Sequence, residues 1–320
     1  MEVVKSKMNI LIRADSSSTI GTGHIMRDLV LASRLQKEFP HAKIFFATQN
    51  LEGNINYRII EAGHEIIDLK TNNVDELLKV LDTLHIEMIV IDHYKIDYTF
   101  EQQLKIKNLT LKIMVLDDTY EKHNCDILLN HNISANAKKY KKLVPKQCEL
   151  RCGAEFTLLR DEFLKEKQKK RKKINIKKST LKIFLAMGGA DHSNINIKIL
   201  KVLKKFSNIQ VHLVTTSSNQ HIEELKKYVQ DKKWIKLHIN SNKIAKLMAK
   251  SDFAIVTPSV TLNEIYFMEI PFIAIKTAKN QDDMYKYLKK KKFLVLNKFK
   301  NEKLKKHVEL LLNKDDKNVK

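Results

Sequence analysis

Asn9-Ile10-Leu11-Ile12-Arg13-Ala14-Asp15-Ser16-Ser17-Ser18-Thr19-Ile20-Gly21-Thr22-Gly23-His24 is the stretch that decides the fold class. Residues 9–13 read as a strand, and 23–38 read as a helix that puts Ile25, Leu29 and Leu35 on one face. The loop between them is polar and carries two glycines, which let a backbone approach a ligand closely. Strand, polar loop and helix form the opening unit of an α/β protein.

The alternation continues along the chain. Apolar runs at 43–47, 88–91, 111–116 and 126–129 read as strands, with helical patterns at 74–84 and 98–108. After Arg160-Asp161-Glu162-Phe163 comes the basic stretch 165–178, which reads as a helix end running into an exposed linker. The pattern then restarts, with strands at 181–186, 211–215, 253–256 and 272–275 and helices at 193–206, about 223–229 and 261–268. Alternation of this kind implies parallel sheets covered by helices. The expectation is two Rossmann-like domains, 1–170 and 171–320, with a ligand in the cleft between them at the carboxyl ends of the strands.

Bulk composition agrees with two globular units. The chain has 320 residues, 43% of them hydrophobic, and a net charge of +22 from 59 basic against 37 acidic residues. That charge favours anionic ligands without choosing between polyanions and small molecules. Much of the excess is lysine in runs, in a chain also rich in Asn and Ile, so it reads as compositional bias rather than a nucleic-acid patch. Cys125, Cys148 and Cys152 lack the paired spacing of a zinc ribbon and read as reduced thiols of a cytoplasmic protein. No apolar run approaches the roughly 20 residues that span a bilayer, and residues 1–8 carry no signal-like region. Membrane insertion and secretion are not expected.

His24 is the main candidate for catalysis. A helix N-terminus disfavours the protonated imidazole, and a neutral one suits a general base. The polar, glycine-bearing loop, whose Asp15 and Gly23 are candidate substrate-binding residues, favours this reading over a histidine that merely bonds the loop. A dinucleotide site is disfavoured, because Met26 fills the third glycine position of G-x-G-x-x-G and the second strand ends in Ala47-Thr48-Gln49-Asn50 without a ribose-binding acid. No P-loop, nucleophile elbow or metal-ligand spacing occurs.

Other strand ends add candidates. Met187-Gly188-Gly189-Ala190-Asp191-His192-Ser193 leaves a strand and opens a helix, so its backbone N–H groups suit a diphosphate. Thr257-Pro258-Ser259-Val260-Thr261-Leu262-Asn263-Glu264 repeats the geometry. From spacing alone, Glu264 as a ribose acceptor and Glu264 as a dipole-compensating residue stand equal. Asp92-His93-Tyr94 follows another strand, where Tyr94 either bonds a sugar or caps the sheet. Asp117-Asp118 reads as a polar turn or a supporting pair rather than a Mg²⁺ site.

Arg13-Ala14-Asp15-Ser16-Ser17-Ser18, Ile20-Gly21-Thr22-Gly23-His24-Ile25-Met26-Arg27-Asp28-Leu29, Ile91-Asp92-His93-Tyr94, Cys125-Asp126-Ile127-Leu128-Leu129-Asn130, Cys148-Glu149-Leu150-Arg151-Cys152-Gly153 and Lys279-Asn280-Gln281 together resemble one family. It is the PseG family of UDP-sugar hydrolases in pseudaminic acid biosynthesis, and the resemblance spans about residues 8–295. It implies a GT-B-like α/β fold with UDP held mainly by the C-terminal domain. The implied substrate is UDP-2,4-diacetamido-2,4,6-trideoxy-β-L-altropyranose, attacked by water at the anomeric carbon with inversion and without metal or cofactor.

His24 matches the family's water-activating histidine, Tyr94 a residue near the sugar, Glu264 the ribose acceptor and Asn280 a residue toward the sugar or diphosphate. Arg160 also falls on a family position, and loop geometry adds Gly189 and Ser259. Thr22, Met26 and Ala190 depart from the family's usual residues. A GT-B glycosyltransferase and a non-enzymatic basic binding protein are the alternatives. Beyond Leu296 the expectation is a solvated helix and a frayed tail.

Overall fold

The computed structural model describes residues 8–171 and 180–312. Residues 1–7, the linker residues 172–179 and the tail 313–320 lie outside the described residues. Two compact units result, Met1–Leu158 and Leu159–Lys320.

Unit 1 is a seven-stranded parallel sheet of β1 (Asn9–Ala14), β2 (Lys43–Gln49), β3 (Glu65–Leu69), β4 (Met88–Asp92), β5 (Lys112–Leu116), β6 (Ile127–Asn130) and β7 (Glu149–Cys152). Its order is β3-β2-β1-β4-β5-β6-β7. The helices are α1 (Gly23–Glu38), α2 (Tyr57–Glu61), α3 (Val74–Thr83), α4 (Tyr98–Lys107) and α5 (Ala137–Tyr140). Along β1, Ile10 and Ile12 pack with Ile25 and Leu35 of α1, while Leu11 packs on the opposite face with Leu77 of α3 and Leu104 of α4. Both faces are covered, so the central strands are nearly continuous apolar runs. The order reverses between β1 and β4, and that is where the loops at their carboxyl ends stand side by side.

Unit 2 begins with α6 (Asp161–Arg171) and then alternates β8 (Leu181–Ala186), α7 (Asn196–Leu203), β9 (Ile209–Thr215), α8 (Ile222–Val229), β10 (Ile235–Ile239), α9 (Ile244–Lys250), β11 (Phe253–Val256), α10 (Val260–Phe267), β12 (Phe272–Ile275), α11 (Asp282–Lys290), β13 (Leu294–Leu296) and α12 (Asn301–Leu312). Its parallel order is β10-β9-β8-β11-β12-β13, with the switch between β8 and β11.

The reading of the sequence leaves out the strands β3, β7, β10 and β13 and differs from this fold in further respects. α6 groups with unit 2, so the units divide at 158/159 rather than 170/171; α6 packs on α9, and Lys167 donates to the carbonyl of Phe267 at 2.5 Å and pairs with Glu269 at 2.9 Å. α7 starts at Asn196 rather than 193, because Asp191 binds the backbone N–H groups of Ile195 and Asn196 and ends the loop there. α12 is not merely solvated, since Leu304 and Val308 are fully buried in the core of unit 2.

Candidate active site

After β1 the chain runs through residues 15–22 into α1. Gly21 stands at φ +88°, a conformation that suits glycine, and exchanges backbone hydrogen bonds of 2.8 and 3.4 Å with Ser17. Thr22 precedes α1 without a side-chain cap, and the first turn holds no acid, so the positive end of the helix is open. His24 is the second residue of that helix and is 8% exposed.

One turn of α1 meets the end of β4 there. His24 Nδ1 lies 2.8 Å from Asp92 Oδ1. Arg27 Nε donates to Asp92 Oδ2 at 2.6 Å and Arg27 Nη2 donates to Asp92 Oδ1, a bidentate pair. Arg27 also approaches Asp118 at 3.7 Å, and the hydroxyl of Tyr94 donates to Asp118 at 3.0 Å. The exposed Tyr94 ring meets the His24 ring edge-on, with centroids 5.0 Å apart.

Burial alone would raise the Asp92 carboxyl, but the Arg27 charge and then His24 pull it far below the usual range, so it is ionised. An ionised carboxylate only accepts hydrogen bonds. The shared hydrogen therefore sits on Nδ1 of His24, which leaves Nε2 as the basic nitrogen. Arg27 Nη2, 3.2 Å from Nδ1, is then a close neighbour rather than a second donor to it.

Asp15 faces inward. Its oxygens accept from Arg13 at 2.7 and 2.8 Å and from the backbone N–H of Gln49 at 2.7 Å, and they lie 3.1 Å from His93 Nε2. Burial works against ionisation, yet His93 and Arg13 overcome it and hold the carboxyl well below its usual range. The Arg13–Asp15–His93 brace thus pins the start of the histidine loop to β2 and β4.

In unit 2 the loops after β8 and β11 differ. Gly189 passes so close to β9 that a Cβ would stand 2.8 Å from Thr216 Cγ2, and its carbonyl accepts from Thr215 Oγ1 at 2.8 Å. Asp191 occupies the N–H groups at the start of α7, which leaves the backbone of the preceding loop rather than the helix end for an anion. After β11, Ser259 pairs its hydroxyl with Thr257 at 3.0 Å instead of capping α10, and no acid stands in the first turn, so this helix end is open. Glu264 lies farther along α10. Burial raises its carboxyl to about 7 against the pull of Arg160, whose Nη2 stands 3.2 Å away. Arg160 is held on its other side by Glu162 at 2.6 Å. Asn280 is exposed in a short 3₁₀ turn, Lys279–Gln281, that follows β12.

Over 292 residues the chain is 36% identical to UDP-2,4-diacetamido-2,4,6-trideoxy-β-L-altropyranose hydrolase of Campylobacter jejuni, covering 91% of this chain and 100% of that protein. The chain belongs to this hydrolase family. Among solved structures, MurG of Acinetobacter baumannii matches the hydrolase with a TM-score of 0.65 at 10% identity, over 96% of this chain and 91% of that one. The spinosyn rhamnosyltransferase SpnG matches with a TM-score of 0.60 at 10% identity, over 96% and 92%. Likeness at this level concerns the fold alone, and it is the GT-B-like α/β fold. No family model matches the chain.

Unit 1 of the hydrolase therefore gathers Asp15, Gly23, His24 and Tyr94 at the ends of β1 and β4. Unit 2 carries Gly189, Ser259 and Asn280 after the adjacent strands β8, β11 and β12, with Arg160 bonded to Glu264. Sequence reasoning missed Asp92 and Arg27 as partners of His24. The available signals were the i,i+3 spacing of His24 and Arg27 on one helix face and the place of Asp92 at a strand end. Asp117 is saturated by Thr119, the backbone of Tyr120 and the hydroxyl of Tyr140, as a structural turn requires. Among the described residues no group of three or more His, Cys, Asp or Glu side chains could hold a metal ion, and no helix is long and apolar enough to cross a membrane.

Proposed function

We propose that this chain hydrolyses UDP-2,4-diacetamido-2,4,6-trideoxy-β-L-altropyranose to UDP and the free sugar, a step of pseudaminic acid biosynthesis. The observation that carries the reaction is the 36% identity to the Campylobacter jejuni hydrolase over the whole of that protein. The His24–Asp92 hydrogen bond supports the mechanism.

In that mechanism His24 Nε2 takes a proton from a water molecule whose oxygen attacks the anomeric carbon. The bond from that carbon to the diphosphate oxygen breaks, its electron pair leaves with UDP, and the configuration inverts. Asp92 keeps Nδ1–H oriented and stabilises the imidazolium that forms. Holding water, base and sugar together supplies much of the remaining rate.

UDP is a good leaving group, so donors that meet its growing charge matter more than a strong acid. The open start of α10 at Ser259 and the loop backbone at Gly189 are the donors we assign. Glu264, kept in place by Arg160, accepts from the ribose hydroxyls, Tyr94 faces the sugar, and Asn280 serves the sugar or diphosphate. Gly23 keeps the start of α1 unobstructed, and Asp15 acts through the loop it anchors. This reading takes the protein to be cytoplasmic, with a small UDP-sugar substrate, no nucleic-acid partner and no cofactor.

Turnover in H₂¹⁸O without acceptor tests the mechanism. Label in the free sugar and an inverted anomer by NMR are expected. Label in UDP would move the attack to phosphorus, and absence of turnover would sink the assignment.

A further inference from the structure

Asp28 stands one turn after His24 on α1. It is fully buried, no donor among the described residues reaches either carboxyl oxygen, and the side chain within hydrogen-bonding reach of it is the Asp92 carboxylate. Its charged neighbours are Arg27 on its own helix and Asp92 at the end of β4.

The positive charge of this buried cluster is already shared out. Both oxygens of Asp92 hold Arg27, and Asp118 approaches it at 3.7 Å. His131, which follows β6, adds no cation: it is 2% exposed with both ring nitrogens unpartnered, and burial followed by the Arg27 charge lowers it to about 3. Arg34, farther along α1, donates to the carbonyl of Thr157 at 2.6 Å. An ionised Asp28 would have to share the Arg27 charge with Asp92 and stand beside it as a second buried carboxylate, whereas a carboxylic acid carries its own donor.

We propose that Asp28 is a positioning residue, a neutral carboxylic acid behind the Asp92–Arg27 pair that sets the electrostatics of the His24–Asp92 dyad. The inference rests on His24 being the base. The Asp28 proton offsets part of the Asp92 charge, so Asp92 orients the imidazole without over-stabilising its protonated form. Burial and then the charge of Asp92 hold the Asp28 carboxyl well above the usual range, which agrees with this state. Tyr94 also faces the dyad, edge-on to His24.

Infrared difference spectra of the full chain at pH 7, wild type minus Asp28→Asn, read the protonation state without activity. A protonated-carboxyl C=O band is expected, and carboxylate bands in its place would overturn the proposal. The pH profile of kcat/KM reads the positioning role. Asp28→Ala removes the donor and should move the acidic limb upward by about half to one pH unit. Asp28→Asn, which restores a neutral donor, should bring it back. Equal shifts in both variants, or none in either, would also overturn the role. If His24→Ala keeps full turnover, the assignment of the base fails instead, and the infrared result on Asp28 still stands.

Discussion

The carboxyl ends of the two sheets are built in opposite ways. At the ends of β1 and β4 the charged side chains bind one another: Arg13 holds Asp15, Arg27 holds Asp92, and Asp92 holds His24. At the ends of β8 and β11 the chain presents backbone instead, through the Gly188-Gly189 loop and the uncapped start of α10, with Arg160–Glu264 as the ion pair beside them. The difference teaches that one end fixes the orientation of the His24 ring while the other leaves backbone donors unpaired with side chains, which in the proposed mechanism serve as base and ligand site. Substitutions in unit 1 should therefore act on turnover, and those in unit 2 on affinity for UDP.

The largest expected effect is that of His24→Ala, a fall in kcat of about 10³-fold. Calorimetric UDP affinity should stay at the wild-type value, and a tenfold loss of affinity would break the division between the two ends. Asp92→Asn comes next. Its amide can offer a hydrogen to Nδ1 and so favour the wrong tautomer, lowering kcat by about 10²-fold. The melting temperature should fall as well, because Arg27 loses its buried counter-charge.

Glu264→Gln should weaken UDP binding about tenfold, the value of one charge-assisted hydrogen bond of about 1.5 kcal/mol. The pH dependence sharpens this prediction. With Glu264 at about 7, the ionised acceptor is lost as pH falls through neutrality, so wild-type affinity for UDP should drop on the acid side. In the Gln variant the same titration should be flat, and a persistent slope would assign the effect to another group.

The last effect is local and falls on stability rather than on turnover or UDP affinity. Gly189→Ala forces a methyl against Thr216 and should cost about 1–3 kcal/mol in denaturant unfolding. Thr216→Ser in the same chain removes the atom 2.8 Å away and should recover part of that loss.

The central strands were legible in the sequence because both their faces are buried, which leaves apolar runs such as Ile10-Leu11-Ile12 and Phe253-Ala254-Ile255-Val256. The four strands that sequence reading missed, β3, β7, β10 and β13, are the sheet edges. An edge strand pairs on one side only and tolerates charge, as Glu149-Leu150-Arg151-Cys152 shows, so its pattern fades into loop. In the site, His24 was visible from its own loop, whereas its partner Asp92 lies 68 residues away and looked like one member of an Asp-His-Tyr cluster.

Local sequence by itself determined the α/β class, the two-fold restart of the pattern and the start of α1 at Gly23, because strand and helix periods and loop chemistry act over a few residues. Tertiary structure alone decided that β1 lies beside β4, that Asp15 turns inward while Asp92 meets His24, that Asp191 closes α7 while α10 stays open, and that α6 joins unit 2. Strand order and burial are set by contacts between distant segments, and a buried carboxylate takes its role from whichever charge the fold brings beside it.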